Sequence, residues 1–120
     1  MEEMTDNTLK PIVFKTSTGF VYFDYNDIIM CSADGNSTSV FTLQSDAPVK
    51  VLHNISFVEK KYCNDKLLRC HKSHIINLMH LEKLITKRHQ VQLKRNFIVP
   101  LSEYCWKKIR QMSEINTHHL

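Results

Sequence analysis

The chain has 120 residues, 42% of them hydrophobic and 23% charged, with a formal net charge of +4. That is one domain's length and an ordinary globular composition, enough to bury a core without disulfides. No apolar run approaches the roughly 20 residues a bilayer-spanning helix needs, and the polar start MEEMTDNTLKP is neither a secretory signal nor a transit peptide, so a cytoplasmic location is expected. The charge is uneven. Residues 1–50 carry three basic side chains against seven acidic ones, and residues 51–120 carry thirteen against five. A surplus of that sign attracts polyanions over about a Debye length, though a solvated face has the same composition.

Residues 1–10 read as a flexible tail. PIVFKT and FVYFDY follow as β-branched and aromatic strands around the turn TSTG. NDIIMCSA is an apolar strand ending at Asp34-Gly35-Asn36, a hairpin signal because glycine accepts positive φ without steric cost. STSVFTLQ alternates, with Ser37, Ser39, Phe41 and Leu43 on one side and Thr38, Val40, Thr42 and Gln44 on the other. VKVLH continues the sheet. A short helix is predicted next, capped by Ser56 with Glu59 three residues on, presenting Phe57, Val58 and Tyr62, and ending near Asn64 in a left-handed conformation.

LLRCH is extended again, and HLEKLIT and HQVQL flank the basic turn Lys87-Arg88-His89. FIVPL is a last strand, kept off a central position by Pro100. Ser102 is a helix N-cap with Glu103 at the positive end of the dipole. In the helix EYCWKKIRQM, Cys105, Ile109 and Met112 recur at core spacing, Lys107, Lys108 and Arg110 face away, and residues 114–120 fray. The sum is one mainly β domain over residues 11–113, with eight to ten short strands in antiparallel sheets and two short helices.

Gly19 and Gly35 are the two glycines of the chain, so a glycine-rich phosphate loop is excluded, and no G-x-S-x-G elbow or paired-carboxylate cleft is present. Four cysteines, none spaced C-x-x-C, read as small buried side chains. The cluster LRCHKSHIINL leaves three readings. A zinc site would draw on Cys70, His71, His74 and His80. Against it, if residues 67–76 form one extended run, positions 71 and 74 point to opposite faces. Catalysis by Cys70 beside His71 meets the same objection and lacks an orienting third group. The third reading is a polyanion site: His71, Lys72, Ser73 and His74 donate to phosphate or base edges while the apolar IINL anchors them. Similar polar tips lie at Asn36-Ser37 and around Ser102.

RCHKSHIINLMHLEKL resembles the signature of the LytTR DNA-binding domain, roughly F-x-R-x-H-[RKN]-S-[FYH]-[ILV]-[IV]-N, with Arg69, His71, Lys72, Ser73, His74, Ile75, Ile76 and Asn77 in register. DIIMCSADGNSTSVFTL, ISFVEKKY and VQLKRNFIVPLSEYCWKKI are similar to its other segments, in the same order, over about residues 11–112. The resemblance implies antiparallel sheets one after another, and a sequence-specific double-stranded DNA-binding domain whose loops enter successive major grooves without a recognition helix. It implies the output half of a response regulator acting at repeated sites, possible pairing of two copies on DNA, no cofactor and no catalysis. The chain has no room for a receiver domain as well. Carried over by position, the contacts are Asn36 and Ser37, then Lys72 after His71, with Ser73 and His74, and then the segment after Ser102.

The sequence departs from the family pattern at three places. Ser37 replaces the common tyrosine, and Asn96 replaces a glycine whose positive φ asparagine tolerates. Glu103 replaces an arginine, and a carboxylate there repels phosphate unless it caps the helix or accepts from a cytosine amino group. The third contact set therefore moves to Tyr104, Lys107 and Lys108. Two alternatives stay open: a small zinc-binding domain, or a protein-interaction domain built on the same cluster.

Overall fold

The structure, a computed structural model, describes residues 11–118; the expected tail at residues 1–10 lies outside the described residues. Ten strands and two helices follow in chain order: β1 Ile12–Thr16, β2 Gly19–Phe23, β3 Ile28–Asp34, β4 Ser37–Thr42, β5 Val49–Val51, α1 Ile55–Tyr62, β6 Leu67–His71, β7 His74–Asn77, β8 Leu81–Ile85, β9 Gln90–Leu93, β10 Phe97–Pro100 and α2 Glu103–His118. All pairings are antiparallel. The central sheet has the order β5-β4-β3-β7-β6, β1 and β2 form a hairpin, and β8–β10 form a three-stranded sheet with β10 at its edge. Pro100 sits at that edge, where a missing N–H costs no ladder bond.

The central sheet is the middle of three layers. Side chains on one of its faces, Cys31, Val40, Val51, Leu67 and Ile75, pack with Ile12 and Phe14 of the hairpin and Ile55 and Val58 of α1. Side chains on the other, Met30, Cys70 and Ile76, pack with Val91, Leu93 and Val99 and with Cys105, Trp106 and Ile109 of α2. A strand covered on both faces must be apolar throughout. The run Ile28-Ile29-Met30-Cys31 meets that demand, and a bulge between Ile28 and Met30 breaks the alternation, so that the neighbours Ile29 and Met30 share one core while Ile28 and Cys31 lie in the other. The alternation in β4 is as its sequence predicts, Thr38, Val40 and Thr42 being buried.

Several details differ from the sequence expectations. The cap of α1 is Asn54, whose Oδ1 accepts from Phe57 N at 2.8 Å; Ser56 lies inside the helix. Starting there buries Ile55, which a Ser56 cap would leave out of the helix. Phe57 is half exposed and stacks on His53. The helix closes at Cys63 in extended conformation, and Asn64 instead accepts from Lys66 N and Leu67 N in a local turn. α2 is longer than the short helix expected: it runs to His118, with an Arg110–Glu114 ion pair one turn apart and Ser113 Oγ donating to Ile109 O. Met112 is exposed, so the buried stripe of α2 is Cys105, Trp106 and Ile109.

Asn96 does take positive φ (62°), and so does Arg95 before it (63°). That turn points the Arg95 guanidinium at the β4–β5 connection. It donates to the carbonyls of Leu43 and Ser45 and to Asp46 Oδ1, joining the two larger sheets.

Candidate nucleic-acid interface

Four turns meet at one end of the molecule, linked by backbone hydrogen bonds. In the β3–β4 turn, Gly35 has φ +60° and Asn36 is exposed. Beside it, Ala33 N donates to Ser73 O at 2.8 Å, placing the β6–β7 turn of Lys72 and Ser73 against the end of β3. Two residues before Lys72, Cys70 O accepts from Ser102 N at 2.7 Å, which sets the start of α2 against β6. Leu101 N donates to His89 O at 3.0 Å, bringing in the β8–β9 turn with Lys87 and Arg88. Asn36, Ser37, His71, Lys72, Ser73, His74 and Ser102 therefore lie along one connected edge. Tyr104, Lys107 and Lys108 follow on the first turns of α2.

Within the β6–β7 turn both histidine rings are engaged in hydrogen bonds. The chain folds back at Lys72-Ser73, so His71 and His74 stand directly opposite each other and share a face. Their rings are 5.3 Å apart. His71 and His74 thus do not point to opposite faces as they would in one continuous strand, because the turn together with a bulge between Arg69 and His71 resets the alternation. His71 Nδ1 accepts from Ser73 N at 3.1 Å. His74 Nδ1 lies 3.0 Å from Ser32 Oγ. Lys72 itself projects into solvent.

Burial, and then the charge of neighbouring His71, hold the His74 imidazole below its usual titration range. The unfolded chain takes up this proton first, so the contribution to stability is full above the unfolded pKa of about 6.5 and falls as pH drops through the folded value. Urea unfolding at pH 7.5 and at pH 5 is expected to show this loss in the native protein, and a smaller loss in His74→Gln. Equal losses in the two proteins would remove His74 as the cause.

The start of α2 behaves as its sequence predicts. Ser102 Oγ accepts from Cys105 N at 3.3 Å. Glu103 lies in the first turn with Oε1 3.7 Å from His89 Nδ1, and His89 stacks on Trp106 with ring centroids 4.1 Å apart. Tyr104 is 71% exposed, enough to offer a whole ring to a partner, and the Lys108 ammonium lies over it. An open groove of about 940 Å³ runs past Glu103, Tyr104, Lys107 and Arg110.

The residues of the zinc alternative do not converge. His80 is buried at the other end of β7, its Nε2 donating to Asn26 O at 2.6 Å. Cys70 is in the core, where burial, and then proximity to Cys105, pushes its thiol up to about 12, far from the thiolate that binds zinc or attacks a carbonyl. Among the described residues, no three His, Cys, Asp or Glu side chains are placed to share a metal ion, and no helix is long and apolar enough to cross a membrane.

Two features of the edge were not foreseen. Arg69 was matched only as a motif position, yet it anchors the Lys72 turn; the spacing Glu59–Arg69 gives no hint of that bond. The stacking of His89, from a predicted turn, on Trp106, from the predicted second helix, was also missed, because it joins residues 17 apart in sequence with no shared local pattern.

A three-layer, mainly β domain that lines up basic and polar turns along one edge has the form of a binding module. The family description "LytTr DNA-binding domain" matches residues 18–114, and the chain belongs to that family. The chain is 24% identical over 110 residues to accessory gene regulator protein A of Staphylococcus aureus strain N315, covering 92% of this chain and 43% of that protein. It is 23% identical over 109 residues to accessory gene regulator A of strain Mu50, with coverage of 91% and 42%. The chain thus spans less than half the length of these relatives. Its fold is similar to a LytTr DNA-binding domain from Bacillus cereus, with a TM-score of 0.68 at 19% identity over 84% of this chain and 94% of that one.

Proposed function

We propose that this domain binds double-stranded DNA sequence-specifically, as the DNA-reading part of a cytoplasmic transcription regulator, and that it carries out no catalysis. The observation that supports this most is the edge of four hydrogen-bonded turns, which presents Lys72, Lys87, Arg88, Lys107 and Lys108 around Asn36, Ser37 and Tyr104. Turns held to a stiff sheet can enter successive major grooves without a recognition helix. Cations supply affinity through phosphates, and Asn, Ser and His side chains read base edges. Glu103, whose carboxylate lies 3.7 Å from His89 Nδ1, accepts from a cytosine amino group in this reading. In a full-length regulator the domain works beside a receiver domain, with two copies on repeated sites.

The test is binding to duplexes selected from a random library, followed by fluorescence anisotropy across a salt series. With about four phosphate contacts, log K is expected to fall with log salt at a slope of roughly −3 to −4. Weak retention that does not respond to salt would overturn the reading.

A further inference from the structure

We propose that Arg69 is a positioning residue, which clamps the Lys72 turn to α1 through Glu59 and so fixes the direction in which Lys72 is presented. The inference rests on the reading above that Lys72 meets DNA. One guanidinium nitrogen, Nη1, donates to Glu59 Oε1 at 2.8 Å and to Ser56 Oγ at 3.3 Å; the other, Nη2, donates to Lys72 O at 2.6 Å. Leu67 and Arg69 share the face of β6 that looks onto α1, which is why the side chain reaches that helix.

The planar fork of arginine is what allows one side chain to bond two elements at once; an ammonium on a flexible stem cannot hold both in a fixed relation. The Lys72-Ser73 turn needs such a holder. Ser73 O and Ser73 N are already bonded to Ala33 N and His71 Nδ1, and the Lys72 carbonyl completes the set through Arg69. With its nitrogens so engaged and its side chain only 22% exposed, Arg69 acts on DNA through Lys72 and not as a phosphate contact. Glu59 then has a counter-intuitive role. A carboxylate on a DNA-binding protein ordinarily repels the polyanion, but this one orients the arginine that holds the turn.

Glu59→Gln and Arg69→Lys separate position from charge, because the first removes a repulsive charge and the second keeps an attractive one. With the melting temperature of each variant checked, both are expected to lower duplex affinity by roughly tenfold, the effect of a lost charge-assisted hydrogen bond, and to leave the salt slope unchanged. Backbone NMR order parameters at Lys72 and Ser73 are expected to fall from about 0.85 toward 0.6 in both variants. Tighter binding by Glu59→Gln, as charge alone would give, would overturn the clamp. So would wild-type affinity in Arg69→Lys, or a slope that drops by about one in Arg69→Ala and is restored by lysine. If the native protein binds no duplex at all, the functional reading fails while the order parameters still decide whether the clamp exists.

Discussion

Asn77→Ala is expected to destabilise the domain by about 3–5 kcal/mol, since three backbone groups lose their partner and each buried unsatisfied group costs about 1–3 kcal/mol. Asn77 is fully buried at the end of β7. Its Nδ2 donates to the carbonyls of Tyr25 and Ile28, both at 2.9 Å, and its Oδ1 accepts from Met79 N at 2.9 Å. No other side chain supplies two donors and an acceptor in that volume. The residue welds the start of β3 to the end of β7, and β3 is the strand whose far end is joined to both the β3–β4 turn and the β6–β7 turn of the four-turn edge. Asn77→Asp is the sharper comparison: it keeps the size but turns an acceptor toward two carbonyl oxygens. It is expected to be at least as damaging at pH 7 and to recover partly in mild acid, where a protonated carboxyl donates once. Urea midpoints measure both variants, and an unchanged midpoint in Asn77→Ala would refute the assignment. A loss of this size is a large part of the ~5–15 kcal/mol that holds a typical domain together.

What the sequence revealed and what it hid divide along the range of the interactions. Signals carried by neighbouring residues survived folding: the Asp34-Gly35 turn, the alternation of β4, the Ser102 cap, the positive φ of Asn96 and the edge place of Pro100. Where two local solutions competed, tertiary burial chose. Asn54 displaced Ser56 as cap because Ile55 is needed in the core, and Met112 is exposed because the buried stripe of α2 runs through Trp106 instead. The edge itself was only half legible. The polar tips could be named one at a time, and family resemblance grouped them. Their adjacency depends on β3 lying between β4 and β7, a strand order that periodicity does not encode. The Arg69 bonds to Glu59 and to the Lys72 carbonyl are of the same kind: they follow from the docking of α1 on the sheet, which no spacing rule expresses.

Lys72→Ala is expected to weaken duplex binding, and the way it weakens tells which part of DNA the side chain meets. If Lys72 neutralises a phosphate, one fewer counterion is released and the salt slope becomes shallower by about one unit, with the loss spread evenly over all sequences. If it reaches a guanine edge, discrimination at one base pair relaxes by about 1–3 kcal/mol while the slope stays nearly fixed. Lys94→Ala is the matched control. It removes the same charge from the β9–β10 turn, at the opposite end of β9 from the turn that holds Lys87 and Arg88. Beyond a Debye length of about 8–10 Å a solvated charge is largely screened, so Lys94 is expected to matter little at physiological salt. Equal effects from the two substitutions would mean that the domain attracts DNA by net charge alone. A Lys72 effect well above that of Lys94 requires the polyanion to lie along the four-turn edge, since that is where the two lysines differ.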